Sequence, residues 1–516
     1  MGDQIYADDV ADSLFPVITT FEKELIGSGE KLELIDNRLA NEPFQAALNQ
    51  VNGRKYIIEN YCHFTSSHAN NHLMKFGEYA VMYLLSWSPQ LFESAQENNL
   101  FEFFDELCNK QQVYFVFSDV ERYPKDNKLE NSRLYNRYTE QQETMISFQQ
   151  SLYRIRRLLA NIPAYMMFDD HDITDDWNLS YMWKESVRNS SLGSHVIANG
   201  LAAYWAFQGW GNAPESFDDG FIWIMKTYFN SLSLGKIDAN REEWKETLWN
   251  FDSWHFVAPT IPNALFLDTR TQREYDSEPR PEKFGQLIEE TVWAPQLLSK
   301  KGWDNVTSSL FNSRWKSGNP LIIVSPTPLY GLGLIETFLH DYVYPLRVLG
   351  VNVHTSFDFE AWKYNGRGFS EFLNQAATWK PSRCIILSGD VHHASAVKAA
   401  VFFKDGRKLA INQLTSSPMK NMSFGGVWGI LMKPIMALNS LKRKNNNINR
   451  ICTPSYYIKE VEKENHSTSY LWKDEVSYQL LENNSIIETN NNLGFLMIRR
   501  RGLKNLLLNH THKLLQ

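Results

Sequence analysis

Residues 384–393 read CIILSGDVHH. Four apolar or thiol side chains run into a serine, a glycine, an aspartate and two histidines. An apolar run this short, without polar alternation, suits a strand buried on both faces of a sheet. Its polar end suits the place where open α/β sheets bind ligands, beyond the carboxyl ends of their strands. The texture recurs in AYMMFDDHD (164–172), NALFLDTRTQR (263–273), NPLIIVSPTP (319–328) and KLAINQLTSSP (408–418). Together these segments predict an α/β (α+β) chain whose strand ends converge on one polar site.

The 516 residues are 43% hydrophobic and 22% charged, ordinary usage for a globular chain. Aromatics reach 14%, with 16 Trp, which predicts aromatic-walled cores. The net charge of −7 sets up no global basic field, so no nucleic-acid partner is indicated. Four scattered cysteines without a C-x-x-C pair argue against a disulfide framework or zinc knuckle and fit a reducing, cytoplasmic compartment. No apolar run is long enough to predict a transmembrane span. GGVWGILMKPIMAL (425–438) is the most apolar stretch, and Lys433 and Pro434 interrupt it, so it reads as a buried loop or helix.

Residues 10–160 read as mostly helical. FGEYAVMYLLSWS (76–88) and TMISFQQSLYRIRRLLANIP (144–163) space their apolar residues by three and four, and Pro163 closes the second. This block separates two polar motifs and therefore reads as an insertion. Residues 161–438 form the expected sheet core, with a Trp- and Tyr-rich helical insertion at 181–250. NSLKRKNNNINR (439–450) reads as an exposed loop. SYYIKEVEK, EVSYQLLENNSIIET and NLGFLMIRR then read as late strands within 439–516, in a single domain spanning 1–516.

FDDHDITDDWN (168–178) crowds Asp169, Asp170, His171, Asp172, Asp175 and Asp176 behind an apolar run and closes them off with Trp177. Carboxylates placed so are partly buried and need partners or metal. In SGDVHH, Asp390 and His392 are two apart, on one side of an extended backbone, whereas His393 points elsewhere. Oxygen and nitrogen ligands together suit Fe, Mn or Zn. GDQIYADD (2–9) supplies a third acidic group.

In their order, GDQIYADD, FDDHDITDDWN, LDTRTQR, SPTP, LSGDVHHA and QLTSSPMKN resemble the PhoD-like phosphatase family, the alkaline phosphatase D branch of the metallophosphoesterases. The resemblance covers nearly the whole chain and implies a four-layer α/β/β/α sandwich with helical insertions. It implies hydrolysis of phosphate mono- or diesters by a metal-bound hydroxide at a two-metal site. Asp3 would bridge the metals and Tyr6 would be a phenolate ligand suited to Fe3+, with Ca2+ as its companion and Mn2+ or Zn2+ as alternatives. Asp170 would be a further ligand, Asp390 and His392 the late ligand pair, and His171 the catalytic acid or hydrogen-bond donor. Arg270 or Arg273 would clamp phosphate oxygens, or simply pair with a nearby acid. Asp172 stands where the family often has Glu. The substrate would be a small-molecule or lipid phosphate ester.

Family members carry an earlier strand with their first ligands, including a Cys in the alkaline phosphatase D branch, ahead of the Gly-Asp block. None of Cys62, Cys108, Cys384 or Cys452 stands in a matching motif. Met1 therefore reads as internal to a longer protein. That departure opens an alternative, a catalytically impaired relative that binds metal or a phosphorylated ligand. A glycoside hydrolase built on paired acids and Trp platforms is a third reading, in which the histidines of GDVHH would be idle. His63, His68 and His72, in YCHFTSSHANNHL, are candidates to reach the cleft from the insertion, although turn and capping contacts are the commoner use of such residues.

Overall fold

A computed structural model describes residues 2–26, 30–236, 240–276, 280–284, 288–292, 295–331, 362, 365–391, 393–417, 447–461, 469–481, 486–488, 491–499 and 502–509. The chain divides into two units, Met1–Phe251 and Asp252–Gln516. The class is mixed α/β, with helices throughout the first unit and a nine-stranded mixed sheet in the second.

In the second unit the strands, in chain order, are β1 (Phe256–Ala258), β2 (Ala264–Phe266), β3 (Arg280–Phe284), β4 (Ile288–Val292), β5 (Leu321–Val324), β6 (Cys384–Ser388) and β7 (Ser395–Phe403). They continue with β8 (Lys408–Thr415), β9 (Asn447–Cys452), β10 (Ile458–Glu460), β11 (Trp472–Tyr478), β12 (Asn492–Arg499) and β13 (Gly502–Asn509). The sheet runs β1-β2-β5-β6-β8-β7-β11-β9-β10, while β3 pairs with β4 and β12 with β13.

The short apolar runs lie side by side. β2, β5, β6 and β8 are neighbours and parallel, so their carboxyl ends share one edge of the sheet. β5 is buried along its length because helices cover a parallel sheet and no face needs polar residues. β7 and β8 instead alternate, with Leu409, Ile411 and Gln413 buried between more exposed neighbours. Their hairpin turns through Gly406 at φ +87°, a left-handed conformation that glycine adopts without a Cβ penalty. The core gathers Leu265, Leu321, Ile323, Ile386 and Ile411 with the aromatic rings of Trp303, Trp362, Phe372 and Trp379. Those rings come from the helices Lys300–Asn312 and Gly366–Trp379 and from Trp362, with Trp362 and Phe372 edge to face at 5.0 Å.

Part of the segment read as an exposed loop is a strand. Asn447–Arg450 belong to β9, where Arg450 crosses to Asp474 on β11 with bonds of 3.1 and 2.6 Å. A run of asparagines hides that ion pair, because its acid lies 24 residues downstream. Residues 425–438 lie outside the described residues.

The first unit is built on the helices Phe15–Ile26, Phe76–Trp87, Pro124–Leu159, Ser191–Tyr204, Asp219–Ser233 and Arg241–Asn250. Helicity over 10–160 is interrupted, since residues 30–75 hold only short pieces: turns, 3-10 segments, the α-helical turns Phe44–Ala47 and Lys55–Ile57, and one π-helical turn at Ile58–Cys62. Arg54 and Glu78 are both fully buried and joined by two bonds of 2.6 Å. Arg54 also donates to Leu48 O and His72 O, so its fork is satisfied.

Ala164–Phe168, read as a strand entering the acidic motif, has no regular secondary structure and joins no sheet among the described residues. Side chains replace the ladder. Met166 O accepts from Asn212 Nδ2 at 2.5 Å and from Tyr204 OH at 3.2 Å, and Met167 O accepts from Gln4 Nε2 at 2.5 Å. Met166, Met167 and Phe168 are buried, so the apolar run reported burial correctly and pairing incorrectly.

Candidate metal centre

The site of the first unit is made by two segments, residues 2–9 and 168–176. Asp172 ties them together. Its Oδ1 accepts from the backbone N–H of Gln4 at 2.8 Å and of Ile5 at 3.2 Å, and its Oδ2 accepts from Asp169 N at 3.0 Å. Ala7 N donates to His171 O at 2.8 Å. Gly2 suits the approach, because a Cβ there would lie 3.2 Å from Asp169 Cβ, close enough that Asp169 would have to give way slightly. Ile173 N and Thr174 N both donate to Asp170 O, closing the acidic turn. Asp3, at φ +49°, Asp176 and Asn178 all take left-handed backbone conformations. Asp and Asn tolerate this better than most residues, and such positions cluster at functional sites.

The turn concentrates acid. Ligand oxygens of Asp3, Asp169 and Asp170 lie within 4.8 Å of one another, and so do ligand atoms of Asp170, His171 and Asp175. Burial pushes the Asp3 carboxyl well up, and the neighbouring Asp169 adds to it. Burial and then Asp176 do the same to Asp175. Asp172 is pushed up to about 7 by burial, against the backbone N–H groups that favour its charge. Asp3 Oδ1 is buried and has no hydrogen-bond partner among the described residues. Packed carboxylates with an orphaned buried oxygen are what a cation resolves, so these residues fit a metal ion. Oxygen donors suit hard cations such as Ca2+, Mn2+ or Fe3+.

His171 stands beside the acids. Its Nδ1 is 2.9 Å from Asp8 Oδ1, while Asp8 Oδ2 accepts from Ser66 Oγ at 2.8 Å and from Asp175 N at 3.3 Å. Burial disfavours charge on both partners, yet Asp8 raises the imidazole well above its ordinary range and the imidazole holds Asp8 below its own. The Tyr6 ring stacks on the imidazole with centroids 4.3 Å apart, which fixes the ring plane.

The structure therefore brings Asp3 and Asp170 together, with His171 adjacent to Asp170 and Tyr6 against His171. Asp390 follows β6 in the second unit, at φ +69°. Arg270 and Arg273 follow β2 there and are buried, Arg273 Nε donating to Thr269 O at 2.8 Å. His392 lies outside the described residues. Asp169 and Asp175, read from sequence only as members of the acidic crowd, join the acid groups, and Asp8 supports His171, a role the sequence did not assign it. The only local signal was the density of acids in DDHDITDD and YADD. Among the histidines of the insertion, His63 is exposed, His68 contributes to the field at Asp9, and His72 is buried and contributes to the field at Asp8. His72 Nδ1 bonds to Leu73 O at 2.6 Å.

No protein-family model and no curated protein matches the chain. Among solved structures, one titled "Structure of PhoD" matches with 12% sequence identity and a TM-score of 0.27, over 57% of this chain and 45% of that chain. The chain thus spans under half of that protein's length, and an overlap at this TM-score carries no argument about fold or chemistry.

Proposed function

We propose that this chain is a metal-dependent hydrolase of phosphate esters. The observation that carries the reading is the cluster of Asp3, Asp169 and Asp170, with its orphaned buried oxygen, set beside a histidine held by a carboxylate. Asp3, Asp169 and Asp170 would hold the metal, and Asp390, His392 and Tyr6 are further proposed ligands on the strength of their motifs. A bound metal would neutralise phosphoryl charge and lower the pKa of attacking water.

The chain's own residues supply the rest. Asp8 accepts the hydrogen bond of His171 Nδ1–H, which leaves Nε2 as the nitrogen that presents a proton to a leaving oxygen. Ser66 and the Asp175 N–H hold Asp8 in place, and Tyr6 prevents the ring from turning. Arg270 and Arg273 are proposed as partners for phosphate oxygens, the fork geometry of guanidinium matching two of them. Small-molecule and lipid phosphate esters are both within this class.

The test is to strip the purified protein with chelator, reconstitute it separately with Ca2+, Mn2+, Fe3+ and Zn2+, and assay p-nitrophenyl phosphate and bis(p-nitrophenyl) phosphate. Turnover that needs metal and falls in Asp3→Ala supports the reading. Metal binding without turnover of either ester would identify a binding protein, and cleavage of an aryl glycoside would overturn the hydrolase class assigned.

A further inference from the structure

The helix Pro124–Leu159 is 36 residues long, yet its buried side chains are Glu130, Leu134, Tyr138 and Leu152. Its last third presents two different faces. On one, Leu152 is buried, Phe148 meets the Phe92 ring edge-on at 6.2 Å, and Gln149 bonds to Gln96 at 3.1 Å. Tyr153 and Arg156 on that side reach Glu93 and Gln90. These partners all sit on the helix Pro89–Glu97.

Ile146, Gln150, Arg154 and Leu158 are four residues apart and form one row on the other side, with Arg157 beside it. Ile146 is 51% exposed and Leu158 54%, and Ile162, just past the helix end, is 47% exposed. Arg154 and Arg157 are exposed too. From Thr144 to Phe168 there is no Asp or Glu, while Arg154, Arg156 and Arg157 all fall inside this stretch of a chain with net charge −7. Arginines at a helix C-terminus are ordinary, since the helix dipole favours them there. Dipole stabilisation does not account for large aliphatic residues exposed in the same row.

We propose that the row Ile146–Gln150–Arg154–Leu158, with Arg157 and Ile162, docks on an anionic phospholipid surface. Ile146 to Leu158 spans about 18 Å of helix at 1.5 Å per residue. Cations would meet phosphate headgroups while the aliphatic side chains enter the acyl boundary, the way interfacial helices bind without crossing. Nucleic acid is the poorer fit, because the row has no aromatic platform for bases. The proposal uses none of the metal-site residues, so it stands or falls independently of the hydrolase reading.

The experiment is sedimentation of the full chain with vesicles of phosphatidylcholine alone, and with one-third phosphatidylserine, at low and high salt. Binding to the anionic vesicles, weakened by salt, is expected. Arg154→Glu with Arg157→Glu should lower it tenfold or more, since each cation near a charged surface contributes substantially. Leu158→Ser with Ile162→Ser should lower it severalfold and leave its salt dependence in place. Helicity by circular dichroism accompanies each variant, and Arg154→Gln with Arg157→Gln replaces the charge reversal if that one misfolds. Equal binding to neutral vesicles, no binding, or indifference to the arginine variants overturns the proposal. So does binding of a duplex DNA fragment that matches the vesicles in strength and is lost in the same variants.

Discussion

His171 Nδ1 lies 2.9 Å from Asp8 Oδ1, across 163 residues of sequence. Asp8 is itself held from two sides, by Ser66 Oγ and Asp175 N. The pair orients one imidazole nitrogen away from the other's partner, which is the arrangement an acid–base group needs. His171→Ala is expected to lower turnover of a phosphate ester by roughly a hundredfold or more, and Asp8→Asn by roughly tenfold or more, as fractions of a general-acid contribution. Elemental analysis of His171→Ala should show metal near the wild-type level. Loss of metal in step with rate would make His171 a ligand.

Asp3, Asp169 and Asp170 share one small volume, so each should matter to metal affinity. Calorimetric titration with Ca2+ and Mn2+ is expected to show weaker binding in Asp3→Ala, Asp169→Ala and Asp170→Ala. The same metals should raise the melting temperature of the wild type. Saturation at a hundred times the dissociation constant adds about 2.7 kcal/mol of stability to a site absent from the unfolded chain. Variants that keep both the affinity and the thermal shift would remove the assignment.

Glu78 supplies a pH dependence away from that site. Burial opposes its charge, but Arg54 outweighs this and holds the carboxyl at about 2. A carboxyl depressed in the folded state stabilises it above the unfolded pKa, near 4.5, and the contribution fades as pH falls towards 2. The contribution is on the order of 3 kcal/mol at neutral pH. Urea unfolding of wild type and Glu78→Gln should therefore differ most at pH 6–7, with the gap narrowing below about 4.5 and closing only as pH falls through about 2. A constant gap across that window would contradict the linkage.

Arg450 and Asp474 join β9 to β11, and Arg450 lies over the rings of Tyr330 and Phe369 at 5.1 and 5.2 Å. Asp474→Ala leaves a guanidinium without its carboxylate and should cost about 3–5 kcal/mol. Arg450→Met with Asp474→Leu should cost clearly less, because both charges leave together. Chemical denaturation of the three proteins decides it, and a double variant as unstable as Asp474→Ala would show that packing, not charge, dominates there.

The exposed row on Pro124–Leu159 was visible in the sequence only as TMISFQQSLYRIRRLLANIP, a helix with apolar periodicity. Which of its faces packs was decided by Phe92, Gln96 and their neighbours on another helix.

The sequence by itself determined where apolar side chains go inside. Runs at 263–268, 319–325 and 384–389 became β2, β5 and β6 because an unbroken apolar stretch bounded by Pro, Gly or polar residues has few other stable states, and 408–415 became β8 with alternate residues buried. Acid density marked 168–178 as a group, and the resemblance of the ordered motifs singled out Asp3, Asp170 and His171. Tertiary structure decided the pairings. Ala164–Phe168 carries the same apolar signal as the strands, yet Asn212, Tyr204 and Gln4 satisfy its carbonyls and no ladder forms. Asp172 was one acid among five until Gln4 N, Ile5 N and Asp169 N bonded to it and drew residues 2–9 onto the acidic turn. Periodicity reports how deeply a segment is buried. Which distant donor or carboxylate meets it depends on loops closing over more than a hundred residues, and no local pattern records that distance.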